Sequence, residues 1–248
     1  MDLTPIIHYM VRILPGIALA VLFMCLVPKR AMAVRIFGYI LIFILIRDAM
    51  TPLGFWNFGT GGFFWIRFTS SPLLLVLFGL TSAGVVAGML FFDRELGMLV
   101  TWIKGQCLNA ILTGLAGTIA VVLPMVIVYR FTPIAGRGGH VDTGLIIPLL
   151  VVALLGNLYE ETLFRGFFQG YLEKVMEMPA FRAAVLSGVA FAFCHVFLAL
   201  TVTNVGYPLL AFAFYEGIIA GLVRMRAGTI PATITHGGAI FILGSGLV

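Results

Sequence analysis

Residues 144–165 read GLIIPLLVVALLGNLYEETLFR. A dozen almost purely apolar residues lead into Asn157, Glu160, Glu161 and Arg165 with no turn signal between them. A helix needs about 20 residues to cross the hydrocarbon of a bilayer, so this stretch reads as one membrane span whose polar end still lies at membrane depth. Ionisable side chains are costly there, and they mark functional sites more often than accidents. Seven further apolar runs of span length lie near 6–27, 33–50, 72–92, 107–128, 181–200, 207–223 and 230–247.

Composition agrees. Of 248 residues, 61% are hydrophobic and 10% charged, against about 25% charged in a soluble domain. Such a chain cannot cover itself with charge, and its main partner is the lipid bilayer. The predicted fold is all-α: a polytopic transmembrane helix bundle of about eight spans, one membrane domain over 1–248. The net charge of +5 sits in short loops between apolar runs, which excludes nucleic acid as a partner. Cys25, Cys107 and Cys194 lie in apolar stretches without CxxC spacing and imply neither disulfides nor a zinc site. The opening MDLTPIIHYMVRILPG lacks a basic leader and a small-residue cleavage site, so the first run is expected to be a retained helix.

Loop charges give orientation. Lys29, Arg30, Arg35, Arg94, Lys104, Lys174, Arg182, Arg224 and Arg226 fall in one set of loops; Arg47, Arg67, Arg130 and Arg137 fall in the other. Cytoplasmic loops carry the excess of Lys and Arg. With eight spans, both termini are then outside and the polar cluster opens toward the cytoplasmic half. Residues 51–71, rich in Gly, Phe and Trp, suit a segment at headgroup level. Residues 166–180 resemble a short amphipathic helix after the fifth span.

The polar residues at depth are unevenly spread. The first half has Arg12, Arg47 and Asp48 near span ends, where long side chains snorkel to the interface. The last hundred residues hold Glu160, Glu161, Arg165, His195, Glu216 and His236. Glu161 and Arg165, four apart, share a helix face and can pair. Glu160 points elsewhere, and a desolvated, unpaired carboxylate is fitted to take a proton and return it. The plainer alternative is an i,i+4 salt bridge with a stray glutamate, and each histidine taken alone is as often a packed group. As a set, Glu160 could activate water, His195 orient it, and His236 donate to an oxyanion; Glu160, His195 and His236 could equally hold Zn²⁺. Gly217 and Gly221 form a small-xxx-small face preceded by Phe214, which reads as helix packing. Phe191, one turn before His195, is assigned the same role. Glu216 beside this face is a candidate supporting group.

These segments resemble the CPBP family, which includes CAAX prenyl endopeptidases of the Ras-converting type and bacteriocin-processing (Abi) relatives. The family's EExxxR reads here as Glu160-Glu161-Thr162-Leu163-Phe164-Arg165, its FxxxH as Phe191 to His195, and its FxxGxxxG as Phe214, Gly217 and Gly221. Its last motif begins at His236. The resemblance covers about residues 145–248, so that 144–248 is expected to be the catalytic core and 1–143 a set of N-terminal helices. It implies an intramembrane endopeptidase that cuts a membrane-anchored protein or peptide near its C-terminus. Glu160 would be the base, His195 its partner on the water and His236 part of the oxyanion site. No HExxH is present; a metal-free glutamic mechanism is favoured, with zinc as the alternative. A bacterial or archaeal inner membrane is the expected home. The chain departs from the pattern at Ile240, where the family carries Asn or Asp. Losing one oxyanion donor costs on the order of 10²–10³ in rate, to be compensated by backbone N–H groups at Gly237 or Gly238, or by Glu216. Two other classes use similar residues: a proton-coupled transporter, and a catalytically impaired immunity or scaffold protein on the same fold. No inverted repeat supports the first; Ile240 supports the second.

Overall fold

The computed structural model describes residues 4–60 and 63–248. Helices α1 (Thr4–Leu26) and α2 (Met32–Met50) lead to a hairpin of β1 (Trp56–Gly59) and β2 (Trp65–Phe68), then α3 (Pro72–Phe92), the short α4 (Arg94–Gly97) and α5 (Cys107–Tyr129). Helix α6 (Ile146–Glu161) continues through a π-helical turn (Thr162–Phe168) into α7 (Gln169–Lys174). Helix α8 (Ala180–Phe193), a second π-helical turn (Leu198–Val202), α9 (Tyr207–Ala227) and α10 (Thr229–Ser245) complete the bundle.

The architecture is the expected all-α bundle, and its outer face is a membrane face. Leu73, Leu77 and Leu80 of α3 and Leu108, Leu112, Leu115 and Ile119 of α5 turn outward, which is stable only against lipid. Five segments, Pro72–Phe92, Cys107–Tyr129, Thr143–Lys174, Ala180–Val202 and Tyr207–Ala227, are long and apolar enough to cross a membrane. Of the other three expected spans, α1 gives an apolar helix over the described Val11–Leu26, α2 carries Arg35, Arg47 and Asp48, and α10 has 17 residues.

Helix α10 packs against α5, α6 and α9, while α3 covers α6 and α8 lies along α9. Glycine sets the spacing at the last contact. A Cβ at Gly188 of α8 would lie 2.8 Å from the Gly217 carbonyl carbon, and one at Gly221 of α9 would lie 2.6 Å from the Ala184 oxygen. Gly237 and Gly238, named from sequence as possible backbone donors, bring α10 onto Ala153 of α6 and Thr118 of α5.

Three sequence expectations change. Residues 51–71, expected as an interfacial segment, hold an antiparallel hairpin that caps the bundle. Phe55, Trp56 and Phe64 are buried against Phe78 and Phe212, because aromatic rings gain more by covering the open bundle end. Gly61 and Gly62 of that stretch lie outside the described residues. Residues 166–180 are not a separate amphipathic helix: up to Lys174 they prolong α6 through the π turn. Finally, several cations assigned to loops are buried and bonded. Arg35 pairs with Asp93 at 2.5 Å, Arg224 pairs with Glu173, and Arg67 and Arg137 bond to the Leu243 and Val248 carbonyls.

Gly188→Ala should therefore lower the thermal midpoint in detergent, since overpacking of this kind costs about 1–3 kcal/mol. Gly88→Ala, where a Cβ meets open space, should leave the midpoint equal or higher.

Candidate active site

The site forms where the polar end of α6 meets the middle of α10 and the end of α8. Glu161 is fully buried. Its Oε1 accepts from Arg165 Nη1 at 2.7 Å and from His236 Nδ1 at 2.8 Å. Arg165 reaches across to the Gly217 carbonyl at 2.9 Å and lies over the Phe191 ring, 4.5 Å from its centroid. A buried arginine is thus held by a carboxylate, a carbonyl and an aromatic face, while its Nε keeps no partner. Glu161 is thus more than Arg165's counter-ion: it fixes the ring of His236. That ring's other nitrogen, Nε2, faces Glu216 Oε2 at 3.6 Å, beyond hydrogen-bond range.

Phe191 stands at the centre. Its ring contacts His195 at 4.5 Å and His236 at 5.3 Å between centroids, and packs edge-on against Phe164. It therefore lines the site as well as packing helices. Gly217 and Gly221 lie at the α8–α9 contact, but Phe214 does not: about half of its surface (49%) faces outward. The inward stripe of α9 runs through Phe212, Ala213, Glu216, Gly217 and Ala220, and Phe214 falls on the opposite side.

Glu160 is partly buried, and its Oε2 atom is shielded without a hydrogen-bond partner. It interacts electrostatically with His236, Arg47, Glu161 and Arg165. Glu161 Oε2 and Glu216 Oε1 are likewise buried and unpartnered. Buried carboxylate oxygens are rarely left so, and the three gather near His236 as a polar cluster, termed the chamber.

His195 lies not in mid-helix but at the turn that ends α8. Its Nδ1 donates to the Phe191 carbonyl at 2.8 Å, because a carbonyl can only accept. Its Nε2 receives Arg47 Nη1 at 3.2 Å, because a guanidinium can only donate. Both ring nitrogens are occupied, so neither is available to water in this state. His195, expected to orient water, thus has two protein partners in this arrangement.

Arg47 also corrects the sequence reading. Rather than snorkelling at a span end, it is buried, donates from Nε to Asp48 at 2.8 Å, and caps the Cys194 carbonyl from Nη2 at 2.7 Å. The break after α8 leaves that carbonyl without a helical partner, and Arg47 supplies one. The signal was present in sequence as adjacent opposite charges inside an apolar run, but nothing there tied α2 to α8. Ile240, by contrast, packs into the apolar core, so α10 contributes no polar side chain at that position.

Among the described residues, no group of three or more His, Cys, Asp and Glu side chains is disposed to hold a metal ion. In the alternative zinc set of Glu160, His195 and His236, the His195 Nε2 faces Arg47 at 3.2 Å. The histidine pattern is directly measurable. ¹⁵N NMR of histidine-labelled protein should show His195 neutral with its proton on Nδ1. Arg47→Leu should free Nε2 and shift that resonance, while a proton on Nε2 in the wild type contradicts the assignment.

Residues 142–242 match a family model described as Rce1-like, type II CAAX prenyl endopeptidase Rce1-like. No curated protein and no solved structure matches the chain. The matched segment runs from the start of the α6 span to α10 and holds Glu160, Glu161, Arg165, His195, Glu216 and His236, while Arg47 lies outside it. Residues 142–242 of this integral membrane protein thus match the model of the Rce1-like, type II CAAX prenyl endopeptidases.

Proposed function

We propose that the protein hydrolyses a peptide bond near the C-terminus of a membrane-anchored protein or peptide, using water activated by Glu160. The observation that carries this reading is the division between two adjacent carboxylates. Glu161 is held by Arg165 and His236, whereas Glu160 keeps a buried oxygen with no partner. An immobilised acid positions its neighbours, and a free one does proton chemistry.

In this scheme Glu160 takes a proton from water as its oxygen attacks the scissile carbonyl carbon. The oxyanion accepts from His236 Nε2–H, which Glu161 aims through Nδ1. Glu160 then returns the proton to the leaving amide nitrogen, the C–N bond breaks, and a carboxylic acid and an amine depart. Arg47 brings to the same chamber the positive charge that Ile240 does not replace. Its Nη1 and Nη2 each keep one N–H beyond the bonds to His195 and Cys194, and His195 serves to hold that guanidinium in place. A donor aimed at developing negative charge is worth about 2.7–4 kcal/mol, enough to offset the missing Asn or Asp. No step passes through a metal.

Orientation follows from the cations that remain exposed. Lys29, Arg30, Arg94, Lys104, Lys174, Arg182 and Arg226 are exposed in one set of loops, and only Arg130 in the other. The richer end is proposed as cytoplasmic, with both termini outside and the membrane that of a bacterial or archaeal cell.

The test compares the C-termini of membrane proteins from cells making wild type or Glu160→Gln, with and without a chelator. Wild type should generate new C-termini that Glu160→Gln reduces by about 10²-fold or more, and the chelator should leave them unchanged. Unaltered processing by a folded Glu160→Gln protein would sink the glutamate mechanism, and chelator-sensitive processing would sink the metal-free one.

A further inference from the structure

Below the site, polar side chains continue down the inside of the bundle. Glu161, Arg165, Gln169 and Glu173 recur every four residues along α6, the π turn and α7. Each of the last three is answered from α9. Arg165 donates to the Gly217 carbonyl and Gln169 to the Gly221 carbonyl at 3.2 Å, while Arg224 pairs with Glu173. Gln169 also donates to Glu173 Oε1 at 3.2 Å. The two helices therefore run side by side in one direction, with polar rungs between them. Burial falls along the series. Glu161, Arg165 and Gln169 are fully buried, and the Glu173 side chain is 20% exposed, next to exposed Lys174.

The rungs are not saturated by protein. Arg165 Nε, Gln169 Oε1, and both Nε and Nη2 of Arg224 are shielded atoms without a hydrogen-bond partner. Arg224 is only 3% exposed. A dry structural ladder would leave four such atoms unsatisfied in addition to the three carboxylate oxygens of the chamber. The desolvation penalty would then consume much of a fold's net stability. Buried groups in this position are ordinarily completed by ordered water.

We propose that this ladder is a hydrated column, and that it supplies water to the Glu160 chamber from the end of the bundle that carries Glu173, Lys174 and Arg224. Each peptide bond hydrolysed consumes one water, which must reach a site enclosed by apolar helices and lipid. The use of the column as a supply line rests on the hydrolytic reading above; its hydration does not.

Water-edited solid-state NMR on ¹⁵N-arginine-labelled protein in lipid vesicles tests this without any substrate. The Nε resonances of Arg165 and Arg224 should build up from water within about twofold of the rate for exposed Arg94. Arg35, whose Nε is bonded to the buried Asp93 and whose Nη1 is bonded to the Met24 and Val27 carbonyls, is the dry reference. Arg165 and Arg224 building up as slowly as Arg35 overturns the proposal. Gln169→Met, close in size but apolar, should leave Arg224 wet and slow Arg165 at least threefold, and Gln169→Asn should restore it. If Arg165 remains equally wet in Gln169→Met, with Arg35 unchanged as a sign of intact folding, water enters elsewhere and the column is not its route. Neither outcome depends on whether the protein cleaves peptides.

Discussion

Everything at the centre of this bundle depends on one oxygen atom. Glu161 Oε1 accepts from Arg165 of its own helix and from His236 of α10. Through Arg165 it ties α6 to α9, and through His236 it ties α6 to α10. A buried charge pair alone is weak evidence of stability, because desolvation can exceed the attraction. Here the geometry recovers that cost through a carbonyl bond, a ring face and a second hydrogen bond from His236. The result is a rigid corner in which His236 is aimed and Glu160 is left unengaged.

The same corner accounts for the helix packing. Arg165 can reach the Gly217 carbonyl only because α8 and α9 meet through Gly188, Gly217 and Gly221, with α9 drawn close behind Phe191. The π turn at Thr162–Phe168 carries Arg165 itself, in keeping with the frequent occurrence of such turns at functional sites. On the opposite side, Arg47 closes the chamber from α2, and Thr51 and Trp56 link it to the hairpin: Trp56 Nε1 donates to Thr51 Oγ1, which donates to the Arg47 carbonyl. The N-terminal helices therefore reach the site through Arg47.

Much of this was legible in sequence, for identifiable reasons. Hydropathy marked α3 and α5 nearly to the residue, since lipid leaves no other place for such runs. The spacing of Glu161 and Arg165 gave their pairing because four residues is one helical turn. What sequence could not give was contact between distant elements. Arg47 looked like a span-end cation because nothing local places the end of α2 against His195. Arg224 looked like a loop charge for the same reason, as its partner Glu173 lies on another helix. The hairpin escaped notice because its strands are only four residues each and aromatic on both faces.

The central claim is that Glu160 acts on water while Glu161 only positions. A single turnover in H₂¹⁸O, with enzyme in excess over a substrate found by the C-terminal comparison, tests it most directly. If Glu160 is a general base, the new carboxyl group carries one ¹⁸O from the first turnover. If the first-turnover product instead contains only ¹⁶O, the oxygen came from a glutamate carboxyl through a covalent intermediate, and the account of Glu160 given by this structure is wrong.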